Sequence, residues 1–259
     1  MTGQKSFKTY KKGEMFMPRY YDYYTVEGYT TPTTAGPRMK VIKTKLDNIR
    51  TETILRPLSE TKDTGINGGF FEADEGYDAP PTKGNSICWN KYDEGDEVTY
   101  EGRTLNEIYK YNGTSSKQIS RKTAVIYEDG NKTKAAYMYA RKLSDVLDRY
   151  PEATNVIGGI SFNSNDWSTL AYHGPAPRTV FAWDDEYAYL ICVPDAISVP
   201  NLKESIEHIG LSPTDAIVLD GSGSSCIQVH DDDDGLDKKF SFYGENRYLF
   251  NIIRVNKDY

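Results

Sequence analysis

Cysteine is scarce in this chain: Cys88, Cys192 and Cys226 are the only three in 259 residues, and they lie far apart. That number and spacing exclude a disulfide framework and a clustered thiolate zinc site, leaving buried thiols as the expectation. Positive charge is also short. Lysine and arginine total 31 against 38 aspartates and glutamates, a formal charge of −7. This balance gives no broad electrostatic footprint for DNA or RNA, so no nucleic-acid partner is expected, and an anionic ligand needs a local basic pocket. Long apolar runs are missing too. No stretch approaches transmembrane length and no apolar signal core opens the chain, so the protein is expected to be cytoplasmic, virion-associated, or the mature form of an exported protein.

What is present is aromatic. Hydrophobic residues make up 38% of the chain and aromatics 13%, with 21 tyrosines, which argues for a folded globule over a disordered chain. Tyrosines suit sugar-binding surfaces, and they also suit strand faces and hydrogen-bonded cores. The length permits a substantial core, and no long linker divides the predicted elements, so one main domain is expected.

Residues 1–38 are poorly periodic, with an aromatic patch at Tyr20, Tyr21, Tyr23 and Tyr24; they read as an irregular arm or edge segment ahead of a domain over 39–259. Met39, Val41 and Ile42 against Lys40, Lys43 and Lys45 predict a half-exposed strand. Asp129-Gly130 between two extended stretches predicts a hairpin. Leu143, Val146, Leu147 and Tyr150 stand at helical spacing before Pro151, and a second helix is expected over 201–210, capped by Asn201 and Glu204 and stopped by Gly210. Residues 93–97 read as a solvated turn. The acidic run Asp231, Asp232, Asp233 and Asp234 reads as a hairpin tip in preference to a calcium loop, because EF-hand spacing is absent. Residues 240–243 and 248–255 read as the last strands. These elements are expected to build a single domain.

The sequence AIVLDGSGSSCIQVH is its centre. Ala216, Ile217, Val218 and Leu219 predict a strand buried on both faces, with Asp220 at its end. Gly221 and Gly223 permit close approach of main chain to ligand. Ser222, Ser224 and Ser225 add hydroxyls, and successive N–H groups in such a turn form an anion-binding concavity. The same residues also fit a solvent-facing turn in which Asp220 caps its own backbone. A nucleotide phosphate loop is excluded, since no lysine precedes the terminal serine and no helix follows.

Other glycine-linked polar sites accompany this loop. GINGGFF places Asn67, Gly68 and Gly69 between large apolar anchors. HGPAPRTVFA brings His173, Arg178 and Thr179 to the start of a strand, where an arginine can grip phosphate through paired charge-assisted bonds. Arg247 precedes the final apolar run.

Taken in order, GINGGFF, GPAPRTVFA, AIVLDGSGSS and ENRYLFNIIRV resemble the phosphodiester glycosidase family, across roughly residues 39–255. The resemblance implies an α+β domain that hydrolyses a sugar attached through its anomeric oxygen to a phosphodiester. It implies catalytic roles for Asp220, His173 and Asn67. Substrate contacts are implied for Gly68, Gly69, Arg178, Thr179, Gly221, Ser222, Gly223, Ser224, Ser225 and Arg247. Ser222 departs from the pattern, which has glycine there, and serine is strained if that position needs positive φ. Cys226 stands where the family often has threonine.

The expected partner is a phosphorylated sugar or glycan. No cofactor is required, with room for a bound divalent cation. A second carboxylate, which decides between retention and inversion, has Glu72, Asp74 and Glu75 as candidates. Cleavage at phosphorus is the competing chemistry. A non-catalytic phosphoglycan-binding module of a phage or bacterial surface protein is the competing class.

Overall fold

The computed structural model describes residues 20–29, 35–92, 97–100, 103–106, 109–163, 174–231, 235–236 and 238–256. Residues 1–19 of the expected arm, most of the 93–97 turn, Asp232 to Asp234 of the acidic run, and His173 lie outside them.

The protein is a mixed α+β domain of several antiparallel sheets with little helix. The largest sheet contains β1 (Tyr21–Glu27), β2 (Arg38–Lys45), β13 (Ala176–Trp183), β14 (Tyr187–Ile197) and β15 (Ala216–Val218), in the order β1-β2-β14-β13-β15. A second sheet has the order β11-β10-β12-β7, built from β7 (Cys88–Asn90), β10 (Arg121–Asp129), β11 (Lys132–Ala140) and β12 (Ala153–Gly158). A third has the order β16-β4-β19-β3, built from β3 (Ile49–Arg56), β4 (Gly65–Asn67), β16 (Ile227–Gln228) and β19 (Leu249–Val255). Two-stranded ribbons pair β5 (Phe71–Glu72) with β6 (Lys83–Gly84), β8 (Glu97–Tyr100) with β9 (Arg103–Asn106), and β17 (His230–Asp231) with β18 (Gly235–Leu236).

The core explains why the central strands are apolar on both faces. Ile42, Phe181, Leu190 and Ile217 of the large sheet pack against Ile66 and Ile253 of the third and Ile126 and Ile157 of the second. The opposite face of the large sheet, with Val41, Val180, Ile191 and Val218, is covered by Leu202 and Ile206 of the helix α2 (Val199–His208). The shorter helix α1 (Leu143–Leu147) closes the outer side of the second sheet with Leu143 and Val146.

Several expectations shift. The strand expected to be half exposed, β2, is interior: Val41 and Ile42 are both buried, because β1 covers its outer edge and both sheet faces are packed. The second helix begins earlier than expected. Ser198, not Asn201, is its N-cap and accepts from Asn201 N–H at 3.5 Å; Pro200 fits the first turn, where its missing N–H costs nothing. Gly210, at φ +84°, ends it as expected: its N–H donates to the Glu207 carbonyl and that of Leu211 to Ile206. Asp129 and Lys132 bound the expected hairpin, and Gly130 takes φ +63°. Residues 240–243 form no strand of their own; Phe242 makes a single bridge to Ile227.

Candidate active site

Segments far apart in the chain close on one another where β13 begins and β15 ends. Antiparallel pairing makes this necessary: Val180 stands opposite Val218, so Arg178 and Thr179 lie beside the chain that leaves β15. Leu219 N–H continues the ladder to the Thr179 carbonyl at 2.9 Å, and Asp220 N–H crosses to the Gly68 carbonyl at 3.2 Å.

Asn67 fastens this junction. Its Oδ1 accepts from the Thr179 hydroxyl at 2.7 Å and from Cys226 N–H at 2.9 Å. Its Nδ2 donates to the Asp220 carbonyl at 2.8 Å and to Gly68 at 3.2 Å. The side chain is 1% exposed, and these bonds use its full hydrogen-bonding capacity. Thr179 is likewise buried and turned to Asn67. Cys226 contributes an amide; burial pushes its thiol far above the ordinary range and keeps it protonated.

The glycines allow close approach. Gly68 and Gly69 donate their N–H groups to Asn251, one to its carbonyl and one to its Oδ1, each at 2.8 Å. A Cβ on Gly68 would fall 1.7 Å from that Oδ1. After Asp220 the chain makes a single 3₁₀ turn over Ser222–Ser224. Ser222 sits at its exposed tip with φ +60°, a left-handed conformation that serine adopts only under strain.

The Asp220 carboxyl lies partly buried in this setting, with Oδ1 accepting from Gly221 N–H at 3.0 Å. Burial raises its pKa to about 6. The Ser224 hydroxyl, the Gly221 amide and the charges of Arg247 and Arg121 pull the other way. Ser224 Oγ favours the ionised form without meeting full hydrogen-bond geometry. Arg247 packs against Gly223, where an added Cβ would lie 2.5 Å from its guanidinium carbon. It bonds Glu245 through Nε at 2.8 Å and stacks 3.7 Å from the Tyr77 ring. Arg178 is buried, donating from Nε to the Ile197 carbonyl at 3.3 Å and from a terminal nitrogen to Gly174 at 2.7 Å; its guanidinium flanks Gly221.

The fold therefore brings together Asn67, Gly68, Gly69, Arg178, Thr179, Asp220, the 221–225 turn and Arg247. Two further residues belong with them. Arg121, at the start of β10, reaches in from the second sheet: it donates to the Asn85 carbonyl at 2.6 Å and the Ser86 hydroxyl at 3.2 Å, and its charge acts on Asp220. Asn251 holds the Gly68-Gly69 amides, and a buried asparagine inside LFNIIRV was the one sequence signal for it. No comparable signal marks Arg121. Ser225 Oγ and Asn251 Nδ2, like several buried polar atoms elsewhere among the described residues, make no hydrogen bond within the protein.

Of the candidate second carboxylates, Glu72 and Asp74 pair with Lys83 at 3.0 and 3.3 Å. No group of three or more His, Cys, Asp or Glu residues is arranged to hold a metal ion among the described residues. The arrangement as a whole is a carboxyl with a raised pKa, backbone amides in a tight turn, and arginines from three separate strand ends or loops. Chemically it suits an oxyanion held beside a group able to exchange a proton near neutral pH.

No protein-family model matches the sequence, and no curated protein matches it. Among solved structures, the catalytic domain of zebrafish N-acetylglucosamine-1-phosphodiester alpha-N-acetylglucosaminidase, auto-inhibited by its pro-peptide, is similar in fold. The match covers 92% of this chain and 83% of that one, with a TM-score of 0.55 at 13% identity. A Burkholderia pseudomallei structure matches over 87% of this chain and 75% of its own at 10% identity, with a TM-score of 0.38.

Proposed function

We propose that the site around Asp220 hydrolyses the bond between an anomeric carbon and a phosphodiester oxygen in a sugar-1-phosphodiester. The order of the glycine-linked motifs and the fold shared with a sugar-1-phosphodiester glycosidase support this reading. The observation that carries it is the convergence of Asp220 with the Gly68-Gly69 turn, the 221–225 turn, and the Arg178 and Arg247 guanidiniums packed against that turn.

In this proposal Arg178, the Ser222 and Gly223 amides and the hydroxyls of Ser222, Ser224 and Ser225 hold the phosphate, assisted by Arg247 and Arg121; the Gly221, Ser224 and Ser225 amides donate within the turn and shape it. Water attacks the anomeric carbon, the carbon–oxygen bond breaks, and the departing oxygen leaves as a phosphate monoester already stabilised by those cations. Such a leaving group needs little acid assistance. Asp220, ionised above pH 6, takes the proton of the attacking water or balances positive charge at the anomeric carbon. Asn67, Gly68, Gly69 and Thr179 position it. His173, which precedes Gly174 and lies outside the described residues, is assigned to proton transfer on the family resemblance alone.

Hydrolysis of a panel of sugar-1-phosphodiesters in ¹⁸O-labelled water tests the assignment. Label in the released sugar supports it; label in phosphate overturns it. Tight binding with no turnover across the panel, with and without chelator, would replace the enzyme by a phosphoglycan-binding module.

A further inference from the structure

A second concavity opens at the other end of the five-stranded sheet. Asp215 stands just before β15 and Asp220 follows it, so the two places are about 16 Å apart along one extended segment. The concavity holds about 380 Å³, inside the range of roughly 300–1,000 Å³ usual for small-molecule sites. Its walls come from the β1 edge, β2, the β13–β14 turn and the chain between α2 and β15.

Its side chains are fixed without a ligand. The Tyr189 hydroxyl donates to Asp184 Oδ2 at 2.7 Å, and Asp184 Oδ1 accepts the N–H groups of Glu186 and Tyr187 at 2.8 and 2.7 Å. The Lys43 ammonium lies 3.9 Å from the Tyr187 ring centre and 5.5 Å from that of Tyr189. Tyr24, on β1 beside the strand that carries Lys43, also lines the concavity and is 40% exposed.

The charges define the occupant. Asp184, Asp185 and Asp215 outnumber Lys43 on the lining, which disfavours phosphate and other anions. An organic cation meets the Lys43 ammonium already seated over the tyrosine rings. A neutral ligand with many hydroxyls satisfies both. Its hydroxyls donate to Asp185 and Asp215 and accept from Lys43, while its C–H face lies on the Tyr24 ring. We propose that this concavity is a binding site for one or two neutral sugar units. It is separate from the Asp220 site and requires no catalysis there.

Titration of the full chain with cellotriose, maltotriose and chitotriose, followed by amide chemical shifts, tests this. At least one should shift Tyr24, Asp185, Gly210 and Ser212, with unchanged affinity in Asp220→Asn. Tyr24→Ala and Asp185→Asn, both at exposed positions, should each weaken binding by about tenfold without moving the unfolding midpoint. Three results would each overturn the proposal: no shift at these residues with any of the three sugars, shifts that survive both variants, or shifts produced by choline and not by saccharides.

Discussion

Replacing Asp220 by Asn should stabilise the fold at neutral pH while abolishing turnover. The carboxyl has an ordinary pKa of 3.8 and stands at about 6 in the folded protein, chiefly because burial disfavours its charge. The native state therefore binds this proton more tightly than the unfolded chain does. Well below pH 4 both states are protonated and the group costs nothing; between about pH 4 and pH 6 the unfolded chain releases the proton while the folded state keeps it, so stability falls, and the loss is complete above the folded value of about 6. The gap corresponds to at most about 3 kcal/mol, and partial access to water reduces the expected gain to about 1–2 kcal/mol. Asparagine keeps the shape and the acceptor for Gly221 N–H without the charge. Urea unfolding of both proteins between about pH 5 and pH 8 should show their stability difference widening by about 1 kcal/mol. Over the same interval wild-type kcat/KM should rise, since the ionised form acts as base. A stability difference that stays constant or narrows as pH rises would refute the argument that Asp220 is a desolvated carboxyl.

Asn67→Ala removes the partners of the Thr179 hydroxyl and Cys226 N–H in a dry setting, and should cost about 2–4 kcal/mol in chemical denaturation. Its loss of kcat should exceed any rise in KM, because it displaces Asp220 and leaves the phosphate groups in place. Ser222→Gly relieves a left-handed serine and should raise stability by about 0.5–1 kcal/mol, read from the unfolding midpoint. Gly223→Ala pushes on the Arg247 guanidinium, which Tyr77 and Glu245 hold in place. It should weaken phosphodiester binding in calorimetry by about tenfold, with a small effect on folding.

Local signals carried much of the fold. The unbroken run from Ala216 to Leu219 read as a strand packed on both faces and holds β15, and Asp129-Gly130 signalled the hairpin between β10 and β11. Where local signals competed, the structure chose on tertiary grounds. Asn201 is a good cap in isolation, but Ser198 followed by Val199 and Pro200 buries Val199 under the sheet and starts the turn sooner. The lysines of β2 suggested an exposed face, yet Lys43 and Lys45 lay their ammoniums over tyrosine rings while the backbone beneath stays covered. For the site, glycines and asparagine were legible because each tight approach demands a particular residue. The family resemblance gives Asn67 a catalytic role, and in the fold its side chain fastens Thr179, Cys226, Gly68 and Asp220. Arg121 belongs to a strand whose pattern speaks only of core, and its arrival beside Asp220 depends on how the second sheet packs, which no local pattern encodes.

The raised pKa of Asp220 is likewise a tertiary product. The residue lies at a strand end, and an isolated strand end is wet. It is desolvated because the Gly68-Gly69 turn from the third sheet and the Arg121 region of the second close against it, and Asn67 ties that closure to β13 through Thr179. A shared fold locates such a junction without saying what it does. What argues for chemistry is the convergence at one junction of a carboxyl whose pKa burial raises, arginine charge from separate elements, and a serine held at φ +60°. A purely structural turn gains nothing from the left-handed serine, since glycine at 222 would make a more stable protein.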